Sequence, residues 1–371
     1  MPEPNPHCVS ASEDCDLIAT AVKEAGEIAR QHFNNNDVEV WDKEKNHPVT
    51  AADLAVNDYL SDVLCKARPD YGWLSEETQD DHSRHACPRT FVVDPIDGTR
   101  AFIDRNHNFA VSVAVIEAGQ TIAGAIYNPL NDELYTAIVG DGTKLNGEVV
   151  HVEDRKVIKD CRMIGYPRKF RRLDFPDMTV SIVNSMAYRM VLVASGSHHA
   201  TVSFTPKSDW DLAAAELIAS EAGAVVTNLR GENFRYDRDS VKELGVICAG
   251  PSMHALLLER VKPVIAEFDK SDNKVKDFGF MGTRMSDRKK DNDIQLLHLV
   301  IGGELVDPNR TEFKDLTKVD FVGAYANYAD AEVAWKSAAQ RTVDNAHMRY
   351  FVLHAHELID PDKDGVIGPF D

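Results

Sequence analysis

The sequence predicts an α/β protein of the α+β kind, in which helices alternate with a largely antiparallel sheet and a small β-β-α-β module follows. Three observations predict it. "DCDLIATAVKEAGEIARQHF" repeats its apolar residues at helical spacing. "FAVSVAVIEAGQTIAGAIYNPLNDELYTAIV" alternates apolar and polar residues between turn signals. Past residue 261 the texture breaks into charged, aperiodic sequence.

From Asp14, one helical stripe carries Leu17, Ile18, Ala21, Val22, Ala25, Ile28, Ala29 and Phe33. A second helix begins near Ala52, with Leu54, Leu60, Val63 and Leu64 apolar, and stops before Pro69. The alternating stretch from Phe109, with turns at "EAGQ" and "NPLND", reads as an antiparallel meander. "SMAYRMVLVAS" and "DWDLAAAELIASEAGA" return to helical periodicity, with Gly223 as C-cap of the second. "FDKSDNKVKDFG" and "RMSDRKKDND" read as linker. Beyond them, "IQLLHLVIGGEL", "DFVGAYANY" and "RYFVLHAHEL" are strands and "DAEVAWKSAAQRTVD" is a helix, with Val300, Phe321, Trp335 and Phe351 expected in a small core. A chain of 371 residues exceeds one ordinary core. The division expected is a flexible N-terminus over 1–12, a first domain over 13–262, a charged linker over 263–293 and a small α/β domain over 294–371.

Hydrophobic residues at 43% and charged ones at 27% are those of a globular protein in water. A net charge of −19 excludes a general binder of nucleic acid polymers or anionic membranes, whose phosphates would be repelled. No apolar run approaches a membrane span. The six cysteines show no C-x-x-C spacing, which predicts reduced thiols rather than zinc ligation or a disulfide framework. The opening "MPEPNPHCVSASEDCD" lacks the basic and apolar regions of a signal peptide, so a cytoplasmic location is expected.

The stretch that carries chemistry is "FVVDPIDGTRAF", where a β-type run ends on Asp94 and Asp97. Asp, Pro and Gly are turn formers, so a turn is its first reading. Three other stretches place carboxylates at element ends: "PVTAAD" with Asp53, "WLSEET" with Glu76 and Glu77, and "DWDLAAAE" with Asp211. Taken singly, Asp53 reads as a helix residue beside a polar cap, Glu76 and Glu77 as surface charge, and Asp211 as an N-cap. Periodicity does not show that they converge.

Together, "PVTAAD", "LSEET", "DPIDGT" and "WD-x-AA", in this order, resemble the inositol monophosphatase superfamily across about residues 13–262. The meander, "GDGTKLNG" and the "EAGA" after the last motif add looser likeness. Ser75 stands where the family usually has glycine before its Glu pair. The resemblance implies a layered α-β-α-β-α sandwich of the inositol monophosphatase/fructose bisphosphatase type and a Mg²⁺-dependent phosphomonoesterase. It implies Glu76, Asp94, Asp97, Asp211 and the Ile96 carbonyl as ligands for two or three Mg²⁺ ions, since all-oxygen ligation suits a hard cation. It further implies Asp53, Glu76 and Thr99 as catalytic residues that orient water, and Asp97, Gly98, Thr99, Arg100 and Asp211 as the substrate-binding set. The basic residue after the threonine, Arg100, is the pattern of 3'(2'),5'-bisphosphate nucleotidases, whereas inositol monophosphatases usually read D-G-T-T-N-F. The expected substrate is therefore adenosine 3',5'-bisphosphate, with inositol monophosphate second. A non-catalytic scaffold carrying the distal domain is the reading from another class.

Other signals are weaker. "PRKFRR" and Arg189 are cations that could assist a phosphate. "ASGSHHA" lacks the G-x-S-x-G of a serine hydrolase, leaving His198 and His199 as loop residues. His354 and His356 share a strand face, and "DPDKDGVIGPFD" fits part of a calcium loop but ends on Asp371 rather than Glu. The distal module resembles a small bacterial domain of unknown function. A module this small is marginal alone, which favours docking or self-association as a homodimer.

Overall fold

The computed structural model describes residues 9–35, 40–44, 47–167, 170, 175–272, 298–306, 313–325, 331, 334–335, 338 and 347–354. The chain divides into two compact units, Met1–Thr283 and Arg284–Asp371. No helix among the described residues is long and apolar enough to cross a membrane.

The first unit opens with α1 (Ala11–Asn34), a short hairpin of β1 (Val40–Glu44) and β2 (His47–Thr50), and α2 (Ala51–Ala67). A capping box sets the start of α1: the Glu13 N–H donates to Ser10 Oγ at 3.2 Å, and the Ser10 N–H donates to Glu13 Oε2 at 2.8 Å. Then come β3 (Gly72–Ser75), β4 (Arg89–Asp97), α3 (Thr99–Ile103), β5 (Ala110–Glu117), β6 (Gln120–Asn128), β7 (Glu133–Ile138), β8 (Gly142–Leu145) and β9 (Glu148–Val150). These strands form one seven-stranded sheet in sequence order. β3 and β4 are parallel, and from β4 to β9 every pair is antiparallel, as the meander predicts.

A second sheet has the order β11-β10-β12-β16-β14, from β10 (Arg162–Ile164), β11 (Thr179–Ser181), β12 (Ala200–Ser203), β14 (Val225–Thr227) and β16 (Val246–Ala249). Between the sheets lie α4 (Met186–Ala194) and α5 (Asp209–Glu221). The two-residue strands β13 (Lys207–Ser208) and β15 (Lys242–Glu243) pair just before α5, and α6 (Pro251–Asp272) closes the unit. Gly223 lies one residue beyond the C-cap of α5, which is Ala222, at a left-handed φ of 95°.

Alternation within the strands produces the layers. Phe91, Val93, Val111, Val113 and Val115 pack with Ile18, Val22, Val56 and Leu60 of α1 and α2. Their neighbours Val92, Ala114 and Ile116 face Met190, Val191, Leu212 and Ile218 of α4 and α5. Val246 and Cys248 join that middle core, while Ile247 and Ala249 turn outward to Met253, Leu257 and Val261 of α6. The result is an α-β-α-β-α stack with two sheets and three cores. Leu54, counted as apolar stripe, is 40% exposed. α6 runs past residue 262, where a linker was expected to begin, to Asp272, and Ile265 is still buried beside Val261.

In the second unit, β17 (His298–Glu304) pairs antiparallel with both β18 (Asp320–Tyr325) and β19 (Met348–His354). Gly302 lets the Tyr350 ring lie against the strand, since a Cβ there would meet ring carbon at 2.2 Å. Val300, Leu305 and Tyr350 are buried, but Phe321 is 60% exposed, against expectation. The predicted helix over 330–344 lies mostly outside the described residues, and His356 and the acidic terminus lie wholly outside them.

Candidate active site

β4 delivers the acidic motif. Its pairing with β5 shifts register between Asp94 and Asp97, which breaks the strict alternation of the strand where the two carboxylates come together. Gly98 then adopts φ 99°, and a side chain there would press on Asn108 O and Ser185 Cβ at 3.1 Å. Thr99 starts α3. The turn reading is correct as far as it goes.

Helix N-termini supply the rest. Thr50 and Ser208 cap α2 and α5, and in each helix the third residue is the site carboxylate, Asp53 or Asp211. Asp211 is therefore not the N-cap. Asp53 Oδ2 accepts from the Thr50 N–H at 2.8 Å and Oγ1 at 2.6 Å, and its Oδ1 accepts from Thr99 Oγ1 at 3.1 Å. Thr99 Oγ1 also lies 3.2 Å from the Ile96 carbonyl. Asp211 Oδ2 accepts from the Ser208 N–H at 2.7 Å. Asp97 accepts from Ser185 Oγ at 2.5 Å, from the Met186 N–H at 3.1 Å and from the Ala187 N–H, so it seals the N-terminus of α4. Ser185, Thr50 and Ser208 escape attention in the sequence, although T-x-x-D and S-x-x-D are readable capping patterns. Ser185 carries no such mark, because its partner is 88 residues away.

Oxygens of Asp94, Asp97 and Asp211 lie within 4.8 Å of one another. Asp94 and Asp97 are 1% and 4% exposed, and Asp94 Oδ1 is buried without a hydrogen-bond partner. Burial, then Glu76, Asp97, Asp211 and Asp53, hold the Asp94 carboxyl well above its usual range. Burial and then Asp211 push Asp97 up to about 6, and burial pushes Asp53 up to about 6. Crowded acids with an orphaned oxygen fit a cation, and all-oxygen donors without His or Cys fit a hard one such as Mg²⁺.

Glu76 follows β3, and its N–H donates to Val93 O at 3.2 Å, beside the end of β4. Ser75 Oγ donates to Asn57 Oδ1 at 2.6 Å and accepts from the Glu77 N–H at 3.2 Å, which fixes the turn where glycine is usual. Arg100 is exposed on α3. Arg189 is not a site cation: it is buried, donates to Val183 O and stacks 5.1 Å from the Tyr166 ring. His199 lies in the loop between α4 and β12, as expected, but not as a surface group. It is fully buried, and its Nδ1 accepts from the Arg162 N–H at 2.7 Å. Most of "PRKFRR" lies outside the described residues.

The family model "Inositol monophosphatase family" matches residues 12–266, and "Domain of unknown function (DUF4170)" matches 296–355. The chain is 31% identical over 233 residues to the 3'(2'),5'-bisphosphate nucleotidase CysQ of Escherichia coli, covering 60% of this chain and 93% of that protein. It is 32% identical over 240 residues to an inositol-1-monophosphatase of Mesorhizobium japonicum, covering 61% and 88%. The crystal structure of the extragenic suppressor protein suhB from Bartonella henselae matches with a TM-score of 0.60 and 28% identity, covering 67% of this chain and 97% of that one. The chain belongs to the inositol monophosphatase family, whose members include metal-dependent phosphoric monoester hydrolases.

Proposed function

We propose that this chain is a Mg²⁺-dependent 3'(2'),5'-bisphosphate nucleotidase that converts adenosine 3',5'-bisphosphate to AMP and inorganic phosphate. The observation that carries the metal-dependent reading is the buried cluster of Asp94, Asp97 and Asp211 with its unpartnered Asp94 Oδ1. Together with Glu76 and the Ile96 carbonyl, these residues would hold two or three ions. Bound Mg²⁺ supplies charge neutralisation for the phosphoryl oxygens and acidifies water.

The chain's own groups position the reactants. Asp53, anchored by Thr50, takes the Thr99 hydroxyl hydrogen, which leaves the Thr99 oxygen to accept from the attacking water and aim it in line with the ester bond. As the water oxygen bonds to phosphorus, the bond to the nucleoside oxygen breaks. One proton of the water passes to Glu76, while Asp53 keeps the hydrogen bond that orients Thr99, and the nucleoside oxygen leaves with a proton from solvent. Gly98 lets the phosphate approach the backbone N–H groups of Gly98 and Thr99, and the helix N-termini around the cluster favour an anion. The unpaired cysteines among the described residues, five of the six, fit a reducing cytoplasm.

Substrate choice rests on Arg100, since the two curated relatives have different substrates at nearly equal identity. Its guanidinium, one residue past Thr99, is the group offered to a second phosphate. Phosphate release from adenosine 3',5'-bisphosphate and from inositol 1-phosphate, with and without Mg²⁺, tests both levels. Turnover of inositol phosphate alone reverses the substrate. No Mg²⁺-stimulated release from any phosphomonoester in a broad panel restores the non-catalytic reading.

A further inference from the structure

A second cluster of ligand-type side chains lies away from the β4 carboxylates, where the turn between β3 and β4 meets the segment ahead of β15. Ser83–Ala86 forms a 3₁₀ turn, and the His85 N–H donates to His82 O at 3.2 Å. In such a turn, positions i and i+3 share a side. The His82 and His85 rings accordingly stack, with centroids 5.7 Å apart and planes 13° from parallel. Arg84, 3% exposed, ties the turn down: Nη2 donates to Arg238 O at 2.9 Å and Nε to Asp80 Oδ2 at 3.0 Å. The Arg238 contact brings Asp239 alongside. A ligand atom from each of His82, His85 and Asp239 then lies within 4.8 Å of the others.

We propose that His82, His85 and Asp239 form a surface site for one borderline transition-metal ion of the Zn²⁺ class. The donors are two imidazole nitrogens and one carboxylate oxygen, a set that favours Zn²⁺ over Mg²⁺ and leaves a fourth position for water. The groups are close without consuming one another. His85 Nε2 is 3.6 Å from Asp239 Oδ1, beyond hydrogen-bond length. Asp80 Oδ2 stands 3.4 Å from His82 Nδ1, the place of the carboxylate that orients a metal-bound histidine. The ion would cross-link the turn to the segment whose Arg238 pairs with Asp209 at 3.0 Å in the first turn of α5.

Isothermal titration of the full chain with Zn²⁺, in large Mg²⁺ excess to occupy the carboxylate site, tests this. The variants are His82→Asn, His85→Gln and Asp239→Asn. Asparagine suits the left-handed φ of 62° at position 82, and the Asp239 side chain is 98% exposed, so at least that variant keeps the fold. Circular dichroism and the zinc-free melting temperature verify this for all three. The expected result is one saturable Zn²⁺ per chain, weakened about 100-fold or more by either histidine change. Co²⁺ should give the strong visible bands of a four-coordinate nitrogen site, and the same changes should abolish them. No saturable Zn²⁺ binding in Mg²⁺ excess, binding unchanged in folded variants, or only weak octahedral Co²⁺ bands would each overturn the proposal.

Discussion

Asp94 lies in the field of Glu76, Asp97, Asp211 and Asp53, with one oxygen buried and unpartnered. A residue so placed is costly to the fold unless a cation sits beside it. Asp94→Asn should therefore act in opposite directions on activity and stability. kcat should fall about 100-fold or more with little change in KM, because electrostatic stabilisation acts mainly in the transition state. Without Mg²⁺, the variant should melt above the wild type, since a repelled charge is gone. Full turnover at saturating Mg²⁺ would remove Asp94 from the site. Arg100→Ala separates the substrates instead. Loss of a charge-assisted hydrogen bond costs about 1.5–3 kcal/mol, or roughly ten- to a hundred-fold in KM for the bisphosphate and little for a monophosphate. Equal effects on both would make Arg100 structural. The residue types at Asp94, Asp97 and Asp211 were legible as motifs. Their meeting followed only from the family resemblance and not from periodicity, because it depends on a register shift in β4 and on Ser185 reaching Asp97 across 88 positions.

At the scale of elements, period-two alternation made the meander readable, and in the fold that same alternation assigns Phe91 and Val92 to different cores. Charged sequence after residue 262 hid the helical continuation of α6, in which Ile265 is still buried. α5 carries a further acid that motif reading passes over. Burial pushes Glu216 up to about 7 from 4.5, with Ser220 Oγ donating to it at 3.3 Å and opposing the shift. A raised carboxyl favours the fold most when both states are protonated, below about 4.5. That contribution is lost as pH rises toward 7, because the unfolded chain ionises first, and it is constant above. The loss is at most about 3.5 kcal/mol, at ~1.4 kcal/mol per pH unit. Glu216→Gln should therefore leave urea stability unchanged at pH 4 and raise it at pH 8. A variant with the same pH slope as wild type would show that Glu216 ionises freely in the fold.

The whole molecule raises the question of how far the two units depend on each other. Every carboxylate of the candidate site, and every helix N-terminus around it, belongs to residues before 222. The third core, however, runs to Ile265, so a cut at residue 262 strips a buried side chain from α6 and costs about 1.5–3 kcal/mol. A chain ending at Asp272 avoids that loss. It should remain folded and keep kcat/KM within about threefold of the full chain, a difference under ~0.7 kcal/mol. The second unit has Val300, Leu305 and Tyr350 for a core and a strand bearing exposed Phe321, which makes it marginal by itself and prone to self-association. The alternative is that it completes a dimer on which catalysis depends. Comparing phosphate release, Mg²⁺ binding and molar mass of the full chain with those of the chain ending at Asp272 decides between them. A truncated protein that is soluble and binds Mg²⁺ yet releases no phosphate would place part of the catalytic machinery beyond residue 272. One that is active and monomeric beside a dimeric full chain would assign the second unit to assembly alone.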